Sequence, residues 1–139
     1  MSIAAVSKSI KEKALEIGFD LIRISPVDSF PENQFYKMWL ARGFAGEMKY
    51  MEKEPEKREN IRNILPDAKS VISCGLNYNT NYPYSMNETD NQKGWISRYA
   101  WGGDYHDIIK KKLQILLEFI KANSPQEIKA RVYVDTGPV

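Results

Sequence analysis

Ile3, Val6, Ile10, Ala14 and Ile17 recur at steps of three and four residues, with polar residues between them. That spacing predicts an amphipathic helix. Ser2 stands where such a helix is capped and Gly18 where it stops. Residues 19–25 form a short, apolar, β-prone run and predict a strand. Pro31 suits the first turn of a second helix carrying Phe35, Met38 and Trp39. Residues 43–51 predict a turn and a short helix, and the charged stretch 52–68 helix fragments and loop. The run KSVISCGLNY, 69–78, is the clearest buried strand. Residues 79–94 are rich in Asn, with Tyr, Pro and Gly, and read as a long surface loop. A strand is expected at 96–101. Asp104 then caps a helix whose apolar face is Ile108, Ile109, Leu113, Leu116, Leu117 and Ile120, with Pro125 after its end. A last strand is expected at 130–135, where Val132 and Val134 alternate with Arg131 and Tyr133.

This order predicts an α/β (α+β) chain, a mixed β-sheet covered by helices. No internal repeat or domain boundary shows, so residues 1–139 are expected to form a single domain. Hydrophobic residues make up 42% and aromatic residues 12%, enough for a packed core. Twenty basic residues against 18 acidic leave a net charge of +2, too balanced to announce nucleic-acid binding by charge alone. The single cysteine, Cys74, makes no internal disulfide and holds neither an iron–sulfur cluster nor a structural zinc. It sits in a strand and reads as a small hydrophobe. A reducing, cytoplasmic location is expected. The N-terminus has no apolar run of signal-peptide type. Nothing approaches the roughly 18–20 apolar residues of a membrane span.

Several chemistries are absent from the motifs. There is no GxxxxGK[ST] phosphate loop, no GxGxxG and no GxSxG elbow. The lone histidine, His106, excludes a multi-histidine metal centre, and no metal site is expected. A Ser-His-Asp triad would have to use His106, and nothing near it in sequence suggests one.

Three segments together are more specific. The first is Gly46-Glu47-Met48-Lys49-Tyr50-Met51, followed by Arg58 and the run 65–72, LPDAKSVI. The second is Arg98-Tyr99-Ala100-Trp101-Gly102-Gly103-Asp104-Tyr105-His106, and the third Val134-Asp135-Thr136-Gly137-Pro138-Val139. In this order, from about Gly18 to Val139, they resemble the N-terminal domain of epoxyqueuosine reductases. The resemblance implies a three-layer α/β sandwich like the cobalamin-binding domain of reductive dehalogenases. It implies cobalamin as cofactor and a tRNA carrying epoxyqueuosine at the wobble position as substrate, reduced to queuosine. In such enzymes a C-terminal ferredoxin-like domain with two 4Fe-4S clusters supplies the electrons. That domain is expected to be absent from this chain, so electrons would have to come from a C-terminal or external iron–sulfur donor, and the chain alone is expected to be inactive.

The resemblance also implies site residues. Asp135 matches the proposed proton donor. On its own the residue reads first as the cap of the turn 136–138, whereas with the resemblance it reads as the proton donor, and burial beside an apolar corrin face would help it keep a proton. Arg58 and Arg98 match family arginines, and a guanidinium fork suits the phosphate and amide oxygens of cobalamin. A surface ion pair is the alternative for Arg58. Tyr99 either lines the cofactor or packs as a strand aromatic, and Gly102 lets the backbone approach closely. Asp104-Tyr105-His106 lacks the glycine of the DxHxxG motif that makes a histidine the lower cobalt ligand, because position 109 is Ile109. Asp104 reads as a helix cap. Lys110, Lys111 and Lys112 read as a solvated helix face, with tRNA phosphates as the alternative.

Two readings of other classes compete. One is a stand-alone cobalamin-binding module or a cobalamin-dependent reductase of another substrate. The other is an interaction domain that binds no cofactor.

Overall fold

The computed structural model describes residues 2–28 and 30–135. Helix α1, Ile3–Ile17, is opened by Ser2, whose Oγ accepts the Ala5 N–H at 3.2 Å. It is closed by Gly18 at φ 94°, with amide bonds back to Ala14 and Leu15 carbonyls. A side chain at this left-handed corner would be strained. Strand β1, Leu21–Pro26, follows, then α2, Asn33–Ala41, and the short α3, Pro55–Glu59. Strand β2, Ser70–Gly75, pairs antiparallel with β1 in the register Leu21 to Gly75 through Pro26 to Ser70. Helix α4, Tyr105–Ala122, is capped by Asp104.

The period-two alternation of both strands decides what is buried. Ile22 and Ile24 share a face with Ile72 and Cys74, their ladder partners. That face meets α1 and α4, and Ile10, Ala14, Phe19, Ile22 and Leu116 form the buried cluster. Ile109, Leu113 and Ile120 pack around it from α4, and Ile17 from α1. The opposite face of β1 is open, with Leu21 65% exposed. Lys112 ties the helices together. Its ammonium donates to the Ile17 carbonyl at 2.6 Å and to Gly18 O at 3.3 Å, occupying the C-terminus of α1. Lys112 therefore leaves the solvated face assigned to it with Lys110 and Lys111.

The α+β class is as expected, but the sheet is smaller. Among the described residues it has two antiparallel strands. Residues 96–101 hold a 3₁₀ turn, Arg98–Ala100, instead of a strand. Residues 130–135 run outside the β1–β2 sheet. Their burial still alternates, with Val132 and Val134 half-buried between exposed neighbours. Alternation specifies an extended, half-buried segment. Membership of a sheet also needs a ladder partner, which alternation cannot supply. Residues 79–94 are exposed throughout, the expected loop.

Candidate functional site

Two consecutive residues at the start of α4, Tyr105 and His106, meet the end of the described chain, and the helix cap holds one of them. Asp104 caps the helix by accepting the His106 N–H at Oδ1, 2.9 Å. The same oxygen lies 2.7 Å from Nδ1 of the His106 ring. On the other side of the ring, Nε2 lies 3.0 Å from Asp135 Oδ1. The Tyr105 hydroxyl donates to Asp135 Oδ2 at 2.7 Å, so each carboxylate oxygen of Asp135 has its own partner. Tyr105 stacks on His106 with ring centroids 4.1 Å apart, and Tyr99 meets Tyr105 edge-on at 5.9 Å.

Local backbone explains the convergence. A helix cap places its side chain over the first turn, which brings Asp104 onto His106. Asp135 sits at φ 34°, a left-handed conformation that Asp tolerates better than most residues. Positive φ in a non-glycine residue is a form of strain found at functional sites. Burial at a strand end was expected for Asp135. Its side chain is instead 58% exposed, because residues 130–135 run outside the sheet. The turn 136–138 that Asp135 was alternatively expected to cap lies outside the described residues.

The electrostatics follow the contacts. His106 is raised above its ordinary 6.5, chiefly by its hydrogen bond to Asp104 and further by both carboxylates. Asp104 is lowered below 3.8 by the backbone N–H of His106 and then by its ring. The Tyr105 phenol is pushed up to about 12, first by its bond to Asp135. The His106 ring thus lies between two carboxyl groups, with a phenol held in its neutral form beside it. Burial pushes the Cys74 thiol up, in keeping with its packing role.

The two arginines differ. Arg58, on α3, is half-buried, and its Nε has no hydrogen-bond partner among the described residues. Its guanidinium lies 6.0 Å from the ring centroid of Tyr36, which lines an open apolar hollow with Phe35, Trp39 and Met51. Arg98 is fully engaged. Its Nη1 donates to Asn79 Oδ1 and to Thr80 O at 2.8 Å, and its Nη2 to Tyr82 O at 2.6 Å and Pro83 O at 2.9 Å. Its guanidinium also lies 4.6 Å from the Tyr84 ring centroid. Tyr99 is 51% exposed and joins this loop to the Asp135 cluster through Tyr105. Gly102 has φ 86°, a turn conformation that favours glycine, and no described protein group approaches its Cβ position. Among the described residues no group of His, Cys, Asp or Glu is arranged to hold a metal ion.

A family model described as "Epoxyqueuosine reductase QueG, DUF1730" matches residues 58–136, more than half of the chain. The chain belongs to this family. An epoxyqueuosine reductase of Synechocystis sp. is 41% identical over 116 residues, covering 84% of this chain and 38% of the relative. One of Leadbetterella byssophila is 41% identical over 134 residues, covering 96% of this chain and 42% of the relative. The chain thus spans about two fifths of the curated relatives it matches. Among solved structures, an epoxyqueuosine reductase in complex with an epoxyqueuosine-modified tRNA-Tyr stem loop superposes with a TM-score of 0.80 at 28% identity. It covers 99% of this chain and 36% of that one. A Bacillus subtilis epoxyqueuosine reductase, described as having its catalytic aspartate loop swung out of the active site, gives 0.71 at 28% identity. That match covers 89% of this chain and 33% of the Bacillus chain.

Asp104 caps α4 as expected, and Asp135 meets Tyr105 and His106, a partnership the sequence did not show. The signal was available in the Asp-Tyr-His triplet at a helix start, but the meeting with Asp135 is a tertiary fact.

Proposed function

We propose that this chain is the cobalamin-binding part of an epoxyqueuosine reductase, with Asp135 as proton donor to the epoxide oxygen of a tRNA-borne substrate. The observation that supports this most is the convergence of Tyr105 and His106 on Asp135, in a chain of this family. Removing an epoxide oxygen as water takes two electrons and two protons. Reduced cobalamin, when bound, supplies electrons to that chemistry, and the single cysteine of this chain supplies no cluster ligands to recharge it. An iron–sulfur donor elsewhere, C-terminal or external, is part of the same reading. So is a cytoplasmic location, where tRNA is modified. Among the described residues no helix is long and apolar enough to cross a membrane.

The residues present fit such a cofactor at one point. Arg58 Nε is a buried donor without a partner among the described residues, and a buried unsatisfied donor is costly unless a ligand meets it. Arg58, Tyr99 and Asp135 are assigned to face the cofactor. Arg98 was expected to bind it directly, but doing so would mean leaving the loop acceptors its fork already holds, so it is assigned to shape the border of the site.

Asp135 protonates the oxygen as the C–O bond opens, so that a hydroxyl forms in place of a free alkoxide and the barrier falls. The carboxylate left behind is received by two donors already in place, the Tyr105 hydroxyl and His106 Nε2–H. The Tyr105 phenol, pushed up to about 12, remains a donor across the working pH range.

The test is a titration of the purified chain with cob(II)alamin, read by absorption and electron paramagnetic resonance. A saturable change to a base-off spectrum is expected, since His106 lies in no lower-ligand motif. No change, either here or in a protein extended beyond Val139, overturns the cofactor assignment.

A further inference from the structure

The reading of Asp135 as proton donor leaves two questions open, namely how the carboxylate regains its proton and what holds the group that returns it. Among the described residues, His106 is the one titratable group that touches Asp135 and reaches back to a second carboxylate. Its Nε2 is 3.0 Å from Asp135 Oδ1, its Nδ1 is 2.7 Å from Asp104 Oδ1, and its side chain is 36% exposed. The ring is clamped from three directions: by Asp104 at one nitrogen, by Asp135 at the other, and by the Tyr105 ring stacked at 4.1 Å.

We propose that Asp104 is a positioning residue that clamps the Nδ1 side of His106, so that Nε2–H points at Asp135 and His106 returns a proton from water to that carboxylate.

The proposal rests on Asp135 being the donor and extends it by naming its resupply. The step balances simply. The imidazolium gives its Nε2 proton to Asp135 Oδ1, leaving a neutral ring that keeps Nδ1–H bonded to Asp104. Water then restores the Nε2 proton through the exposed edge of the ring. No electrons move, and the net transfer is one proton from solvent to Asp135.

The geometry makes Asp104 more than a cap. A cap needs only an oxygen accepting backbone N–H groups, and Asn serves about as well as Asp. An ionised oxygen 2.7 Å from Nδ1 does something Asn cannot, which is to hold a proton on that nitrogen by charge and so fix which nitrogen exchanges. The groups facing the ring are Asp104 and Tyr105 on its own turn and Asp135 from the segment packed against it. Of these, Asp104 is the largest influence raising the imidazole.

His106 is the chain's only histidine, so its ring gives one set of imidazole resonances. In the purified chain, proton–nitrogen spectra across pH report its titration midpoint and its neutral tautomer. The wild type is expected to titrate above 6.5 and, once neutral, to carry its proton on Nδ1. Asp104→Asn is expected to lower the midpoint and give a mixture of tautomers, with helix content unchanged by circular dichroism. An unchanged midpoint and tautomer in Asp104→Asn overturns the clamp.

The second arm is turnover of epoxyqueuosine RNA by a complete reductase containing this domain. With Asp104→Asn, kcat is expected to fall most at alkaline pH, where the proton is scarcest, while KM for RNA holds. A loss equal at every pH, or none, overturns the resupply role. Asp135→Asn separates this idea from the one beneath it. If that variant still turns over, the donor assignment fails, whereas the resonance measurement on Asp104 still judges the clamp.

Discussion

The Tyr105 hydroxyl donates to Asp135 Oδ2 at 2.7 Å, joining the first turn of α4 to a residue thirty positions further along the chain. This bond is the main reason the phenol is pushed up to about 12 from an ordinary 10.0. Ionising Tyr105 would place a phenolate against a carboxylate, and that repulsion delays its titration. Ultraviolet titration of wild type against Tyr105→Phe is therefore expected to isolate one tyrosine titrating near 12. In Asp135→Asn the same tyrosine should return toward its ordinary value. A difference spectrum that titrates normally in wild type would mean the bond is not formed in solution.

Asp104 and His106 link stability to pH in a defined window. Asp104 is lowered, so its contribution is present above its unfolded value of about 4 and is lost as pH falls through the folded one. His106 is raised, so its contribution is full below 6.5 and is lost as pH rises through its folded value. The pair therefore stabilises most between about pH 4 and 6.5. Urea midpoints of wild type and Asp104→Asn should differ most in that window, with the difference lost at acid pH and narrowed at alkaline pH, where only the backbone hydrogen bond to Asp104 remains. A difference that stays constant with pH would assign Asp104 to capping alone.

Gly18 and Lys112 form a joint that the sequence did not reveal. A Cβ at Gly18 would lie 2.8 Å from Lys112 Nζ, and the backbone there has φ 94°. The ammonium has little freedom to retreat, since it is bonded to the carbonyls of Ile17 and Gly18. Gly18→Ala is expected to cost about 1–2 kcal/mol from the left-handed backbone alone. Displacement of Lys112 adds to that. Combined with Lys112→Met, the two losses should sum to less than their separate values in denaturant melts, because they remove one shared contact.

Local pattern carried what was legible. The stripe of α1, its Ser2 and Gly18 ends, the apolar runs of β1 and β2 and the cap at Asp104 are each set within a few residues, and each is found. Contacts distant in sequence were not legible. The sheet status of 130–135, the use of Lys112 at another helix's end and the meeting of His106 with Asp135 depend on the whole chain. Arg98 shows the boundary between the two. The sequence marked it as a multidentate donor, which it is, but its acceptors turned out to be the loop's own carbonyls.

Arg98 is consequently the residue on which the order of the loop from Asn79 to Pro83 should depend. One planar fork serves four oxygens and lies across Tyr84, an arrangement an ammonium cannot copy. A hydrogen bond from a charged donor contributes about 1.5–3 kcal/mol, and exposure reduces this toward the lower end. At about 1.4 kcal/mol per decade, even one such loss raises the population of the open loop roughly tenfold. Chymotryptic cleavage after Tyr84 should therefore accelerate by about that factor in both Arg98→Ala and Arg98→Lys. The core cluster contains no residue of this loop, so the thermal midpoint should move little. Equal cleavage in wild type and Arg98→Lys would show that charge alone holds the loop. Equal cleavage in Arg98→Ala as well would free the guanidinium for the phosphate contact that its position in the family motif first suggested.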